Sequence, residues 1–70
     1  MSKDDLNKLR NKLPTNGIRT IAEKTGFTIS YVNMVLSGNK SSLIILDCAI
    51  QVAIDYKNEL DRIKETIDAL

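Results

Sequence analysis

From Leu43 to Leu70 the chain contains neither glycine nor proline, the two residues that most readily interrupt a helix. Within this stretch Leu46, Ala49, Ala53, Tyr56, Leu60, Ile63, Ile67 and Leu70 recur at intervals of 3, 4, 3, 4, 3, 4 and 3. That period puts all of them on one heptad seam of a continuous α-helix. At 1.5 Å per residue such a helix is a rod of roughly 40 Å. In a chain of 70 residues, most of what remains must pack against one side of that rod. No strand-like alternation, internal repeat or low-complexity segment competes with this reading. The expected fold is therefore all-α, a small bundle of about four helices with a long C-terminal helix.

A second apolar stripe, Leu43, Ile50 and Ile54 with Val52 nearby, exists only in the first half of the long helix. That half is expected to pack beneath the rest of the chain, with little of its surface wet. From Lys57 onward only the seam is apolar, and it can be covered in two ways. It can fold back on Leu6, Leu9 and Leu13, or it can meet its copy in another chain. In the second case Tyr56, Leu60, Ile63, Ile67 and Leu70 form the dimer contact. Glu59 and Lys64 then flank it at sites that would pair across a parallel dimer. Size favours a partner, because a chain this short buries only about 60% of the surface it exposes when unfolded. The usual supplements are a disulfide, a metal or a second copy. The single Cys48 cannot close an internal disulfide, and there is no histidine or cysteine pair to hold zinc.

The first 42 residues divide into three shorter helices. Ser2 followed by Asp5 is a capping-box-like start, and Leu6, Leu9 and Leu13 fall on one stripe that runs until Pro14 stops the helix. Thr15-Asn16-Gly17 is a turn, after which Ile18, Ile21, Ala22 and Thr25 mark a second helix ending at Gly26. Thr28 can cap a third helix whose inward positions are Val32, Val35 and Leu36. A polar loop, Gly38-Asn39-Lys40-Ser41-Ser42, leads to the long helix, and its serines can cap it.

The spacing around Gly26 has a mechanical reason at each position. Two short helices crossing at about 90–120° leave no room for a large side chain where they touch, which suits Ala22. The chain must reverse within three residues, which favours glycine at position 26. Phe27, Val32 and Val35 are expected to fill the wedge between the helices. This pattern resembles the helix-turn-helix of lambda-repressor-like proteins and of lac-repressor-family head-pieces, over residues 18–37. The run Gly26-Phe27-Thr28 into Val32-Asn33-Met34-Val35-Leu36-Ser37-Gly38 looks especially like the lac-repressor type and like small phage or mobile-element regulators. The resemblance implies a bacterial or phage-encoded transcription regulator acting on double-stranded DNA. The lone Cys48 fits a reduced, cytoplasmic setting, and the seam of the long helix suggests a homodimer. The same helical hairpin also occurs without DNA.

At about 100° per residue, Val32, Val35 and Leu36 define the inward direction of the third helix. Ser30, Met34 and Ser37 point nearly opposite, with Asn33 beside them. Ser30 can bond a base edge, Asn33 can pair with adenine, and Met34 or Ile29 can rest on a thymine methyl. The resemblance carries base contact onto Ile29, Ser30 and Met34. None of these is the Gln or Arg usual at such positions, so base-specific hydrogen bonding is thin. Ile29 lies only about 20° from Leu36 on the helical wheel, which makes a half-buried core role the competing assignment. Backbone contacts are assigned to Gly17, Ile18 and Arg19 at the start of the second helix, where free amides suit a phosphate. Thr28 and Tyr31 add hydroxyls, and Asn39, Lys40 and Ser41 add a polar loop.

The overall charge of +1 conceals an asymmetry. Residues 1–42 carry seven basic and three acidic side chains, a net +4, whereas residues 43–70 carry three basic and six acidic, a net −3. A DNA-facing head (1–42) and a long helix with a separate second job (43–70), within one domain, are expected from this split. Ordinary scatter of surface charge is the alternative. The competing function is a protein-interaction module, antitoxin-like or an adaptor bundle, whose tail grips a partner. An enzyme is not expected, since Cys48 has no histidine to act as its base and no phosphate loop or dinucleotide fingerprint appears. No cofactor, metal, membrane span or small-molecule effector is expected either.

Overall fold

The computed structural model describes all 70 residues and contains four helices and no strand: α1 (Lys3–Asn11), α2 (Gly17–Thr25), α3 (Ile29–Leu36) and α4 (Leu43–Asp68). Three helices begin with a hydroxyl cap. The Asp5, Tyr31 and Ile45 amides donate to Ser2 Oγ at 3.2 Å, Thr28 Oγ1 at 3.0 Å and Ser42 Oγ at 3.3 Å. Each bond satisfies one of the amides a helix start leaves without an intrahelical acceptor. α2 is the exception, since Asn16 makes no side-chain cap bond.

The first helix ends earlier than the proline alone requires. Lys12 N–H donates to Leu9 O at 3.0 Å and Leu13 N–H to Arg10 O at 3.2 Å, so the last turn tightens to three-residue bonds before Pro14. Leu13 is thereby turned inward over the start of α2. A Cβ on Gly17 would stand 3.0 Å from Leu13 Cβ and 3.2 Å from Pro14 Cδ, which is why glycine occupies this position.

α2 and α3 pack on one face of α4 around a core of Ile21, Ala22, Val32, Val35, Leu36, Ile45, Ala49 and Val52. Leu6 is also buried, while Leu9, Leu13, Ile18 and Leu46 are partly covered at the core's edge. Gly26 closes α2 at φ +79°, in the left-handed region. No atom lies within 4 Å of a Cβ built there, so the cost of a side chain is purely conformational. Gly26→Ala is expected to lower unfolding free energy by about 1–2 kcal/mol, measured by urea titration.

Two expectations about packing are corrected, and one of two alternatives for the seam is not adopted by the single chain. Phe27 does not fill the wedge; it is 39% exposed and its ring rests on Tyr31, with centroids 5.0 Å apart. Its position immediately after the left-handed Gly26 directs it away from the crossing that Ala22 and Val32 close. The stripe Leu43, Ile50 and Ile54 does not lie beneath the head but on the solvent side of α4. Ile45, fully buried, anchors α4 instead, together with Ala49, Val52 and Ala53. The seam beyond Tyr56 does not fold back on the first helix: Leu60, Ile63 and Ile67 are 48%, 41% and 61% exposed. α4 therefore overhangs the head, and the molecule measures 45 Å along its longest axis. No helix is long and apolar enough to cross a membrane.

Candidate nucleic-acid interface

The Thr28 cap and the αL turn at Gly26 fix where α3 starts, and its Val32-Val35-Leu36 face is locked in the core. Its opposite face is thereby forced outward. Ser30 and Ser37 are exposed, Met34 is 38% exposed, and Asn33 sits half-buried beside them. Ile29 stands outside the core at 45% exposure, in a shallow groove with Arg19, Glu23 and Phe27. Ser30 and Met34 thus lie on the exposed face of α3, with Ile29 and Asn33 at its edge. Thr28 Oγ1 spends a lone pair on the Tyr31 amide, which leaves its O–H free to donate.

The C-terminal end of α3 is closed by paired bonds typical of a left-handed helix stop. Gly38, at φ +88°, donates to Val35 O at 3.1 Å, and Asn39 donates to Met34 O at 2.9 Å. Lys40 N–H also reaches Met34 O at 3.3 Å. The amides of Asn39 and Lys40 are consequently occupied, and this loop can meet a phosphate only through side chains. Asn39, Lys40 and Ser41 are all exposed and free to do so.

Arg10 was missed by sequence reasoning. Its Nη1 donates to Ser37 Oγ at 3.0 Å, which holds a guanidinium at the end of the exposed α3 face. Lys3 lies nearby, its Cγ 3.8 Å from where a Cβ on Gly38 would stand. Lys3, Leu6 and Arg10 share one side of α1 by their spacing, but only the packing of Leu6 against Gly38 brings that side to α3. Basic groups therefore stand near both ends of the exposed face, Arg19 together with Glu23 beside Ile29, and Arg10 and Lys3 around Ser37 and Gly38, with exposed Lys40 two residues further along the chain.

At the start of α2 one assignment is corrected. Gly17 is buried and its amide donates to Pro14 O at 2.9 Å, so it cannot serve a phosphate. Ile18 is half-buried against the core while its amide and that of Arg19 find no backbone acceptor. These two amides keep the anion-binding potential of the helix end. Asp55 and Glu59 line a groove with Asn16 and Thr20, however, and their negative charge lowers the attraction of this end for phosphate.

No group of three or more His, Cys, Asp or Glu side chains comes together as a metal site, and no buried side-chain polar atom lacks a partner. No protein-family model matches the chain, and neither a curated protein nor a solved structure is significantly similar to it.

Proposed function

We propose that the protein is a sequence-specific DNA-binding transcription regulator that inserts α3 into the major groove and acts as a homodimer through the overhanging part of α4. The observation that carries this reading is the exposed Ile29-Ser30-Asn33-Met34 face flanked at both ends by basic side chains. Phosphate contacts from Arg19, Arg10 and Lys40 would set register, with Thr28, Tyr31, Asn39 and Ser41 in support, while the α3 face supplies base readout. With no Arg, Lys or Gln on that face, discrimination between sequences comes from one amide, hydroxyls and thymine-methyl contacts. The setting is a bacterial or phage-encoded regulator of the cytoplasm.

Selection from a random duplex library tests the reading, followed by two kinds of variant. Lys40→Ala is expected to weaken all duplexes alike and reduce the salt slope by about one unit. Asn33→Ala is expected to change which bases are preferred, by about 1–3 kcal/mol at one position. Identical effects of both variants on every sequence would remove the assignment of the α3 face. A protein-interaction module is the second reading, favoured by the apolar residues left uncovered on α4. A library that yields no enriched duplex would leave that reading in its place.

A further inference from the structure

The buried face of α4 and its exposed seam point the same way. Ala49 and Ala53, buried under the head, continue into Tyr56 and Leu60 by steps of 4, 3 and 4. This has a steric consequence for how two copies can meet. A second α4 lying parallel and in register along the seam would run about 8–10 Å away. Its first half would then occupy the volume already filled by α2 and the core around Ile21, Ile45 and Ala49. The head of each copy blocks the parallel arrangement.

We infer that the overhanging parts of α4 from two copies pair antiparallel, tail against tail, with the end of each helix meeting the edge of the other's head. This deepens the dimeric reading above and rests on it. The register that uses the exposed seam places Leu60 of one copy against Ile63 of the other and Tyr56 against Ile67, with Leu70 arriving at the edge of the head beside Ala53. The two-fold axis passes between Leu60 and Ile63, and each layer occurs twice, as an isologous contact requires.

One feature of the single chain agrees with this register. A groove lies at the junction of head and overhang, lined by Asn11, Lys12, Ala53, Tyr56, Lys57 and Leu60. It stands where Leu70 of the second copy would arrive, and Leu70 is fully exposed in the single chain. On one flank this register brings Lys57 beside Lys64 of the other copy, and Asp61 and Asp68, one position further from the seam, offset that repulsion. A parallel dimer would offer only Glu59 with Lys64, and Glu59 is already engaged by Arg62 of its own helix. In the antiparallel pair the two Ala49 positions lie about 40 Å apart along the helix axes. That is comparable with the roughly 34–36 Å between successive major-groove sites on one face of a duplex.

Disulfide exchange tests the orientation without DNA. In a Cys48→Ala background, Tyr56→Cys and Ile67→Cys proteins are mixed in a glutathione buffer and the products weighed. The antiparallel pair is expected to give the mixed disulfide in at least about tenfold excess over the Ile67→Cys self-dimer, and Leu60→Cys mixed with Ile63→Cys is expected to crosslink likewise. Efficient self-crosslinking of Ile67→Cys would overturn the orientation while leaving the dimer. No crosslink from either pair, with a monomeric mass in sedimentation, would overturn the orientation and the dimer together.

Discussion

Leu60→Glu combined with Ile63→Glu is expected to give a folded monomer whose affinity for an operator-length duplex is lower by about 10²–10⁴-fold. The fold is expected to survive because both side chains are exposed and neither belongs to the core. What the variant removes is the seam's central pair. Burying a large apolar side chain fully is worth roughly 1.5–3 kcal/mol, and four carboxylates at a two-fold interface oppose association further. The DNA effect follows from linkage. Two tethered heads bind as one ligand with a high local concentration for the second half-site, and separated heads lose that advantage. Light scattering reads the mass, circular dichroism the fold and anisotropy the affinity. A wild-type protein that stays monomeric at high micromolar concentration would contradict the premise.

Ile45→Ala is expected to be among the most damaging single substitutions, with truncation of Ile21 or Leu36. The Ile45 side chain is fully buried at the point where α4 meets α2 and α3. Truncating such a residue costs about 2–5 kcal/mol, including the cavity left behind. A domain of this size holds only about 3–5 kcal/mol from its core, so much of the population would be unfolded at room temperature. The neighbours Leu43 and Ile44 provide the contrast. They are 84% and 65% exposed, and Leu43→Ala or Ile44→Ala is expected to shift stability by less than about 0.5 kcal/mol. Thermal unfolding followed at 222 nm separates the cases. Equal losses at Ile45 and Leu43 would mean that α4 presents a different face to the head.

The pair Ile45 and Leu43 also marks where the sequence stops being legible. That residues 43–70 form one helix follows from local facts: absent breakers and an unbroken 3-4 spacing. Caps at Ser2, Thr28 and Ser42 and the turn at Gly26 are equally local, each depending on bonds or dihedrals within a few residues. Which stripe of α4 faces the head is not local, because Leu43, Ile50 and Ile54 are as apolar as Ile45 and Val52. Only the placement of α2 and α3 decides between them. Phe27 illustrates the same limit, since its hydrophobicity suggested burial while the exit angle at Gly26 turned it toward Tyr31. At the candidate interface the α3 face was readable from its wheel, because three core residues fix the helix's rotation. Arg10 was not readable, since it joins that face through a contact spanning 27 residues. Gly17 was misassigned because the packing of Leu13 over it, and the use of its amide by Pro14, depend on how the preceding turn closes.

The central claim is that the α3 face and its basic flanks engage duplex DNA. Its most direct test is the anisotropy of a labelled duplex, selected from the random library, titrated with wild-type protein across a salt series. Binding is expected to saturate, with a logarithmic affinity that falls linearly with the logarithm of salt at about 0.9 per phosphate contact, and with a shallower slope for Arg10→Ala. Absence of binding at the lowest salt, where electrostatic attraction is strongest, would contradict it.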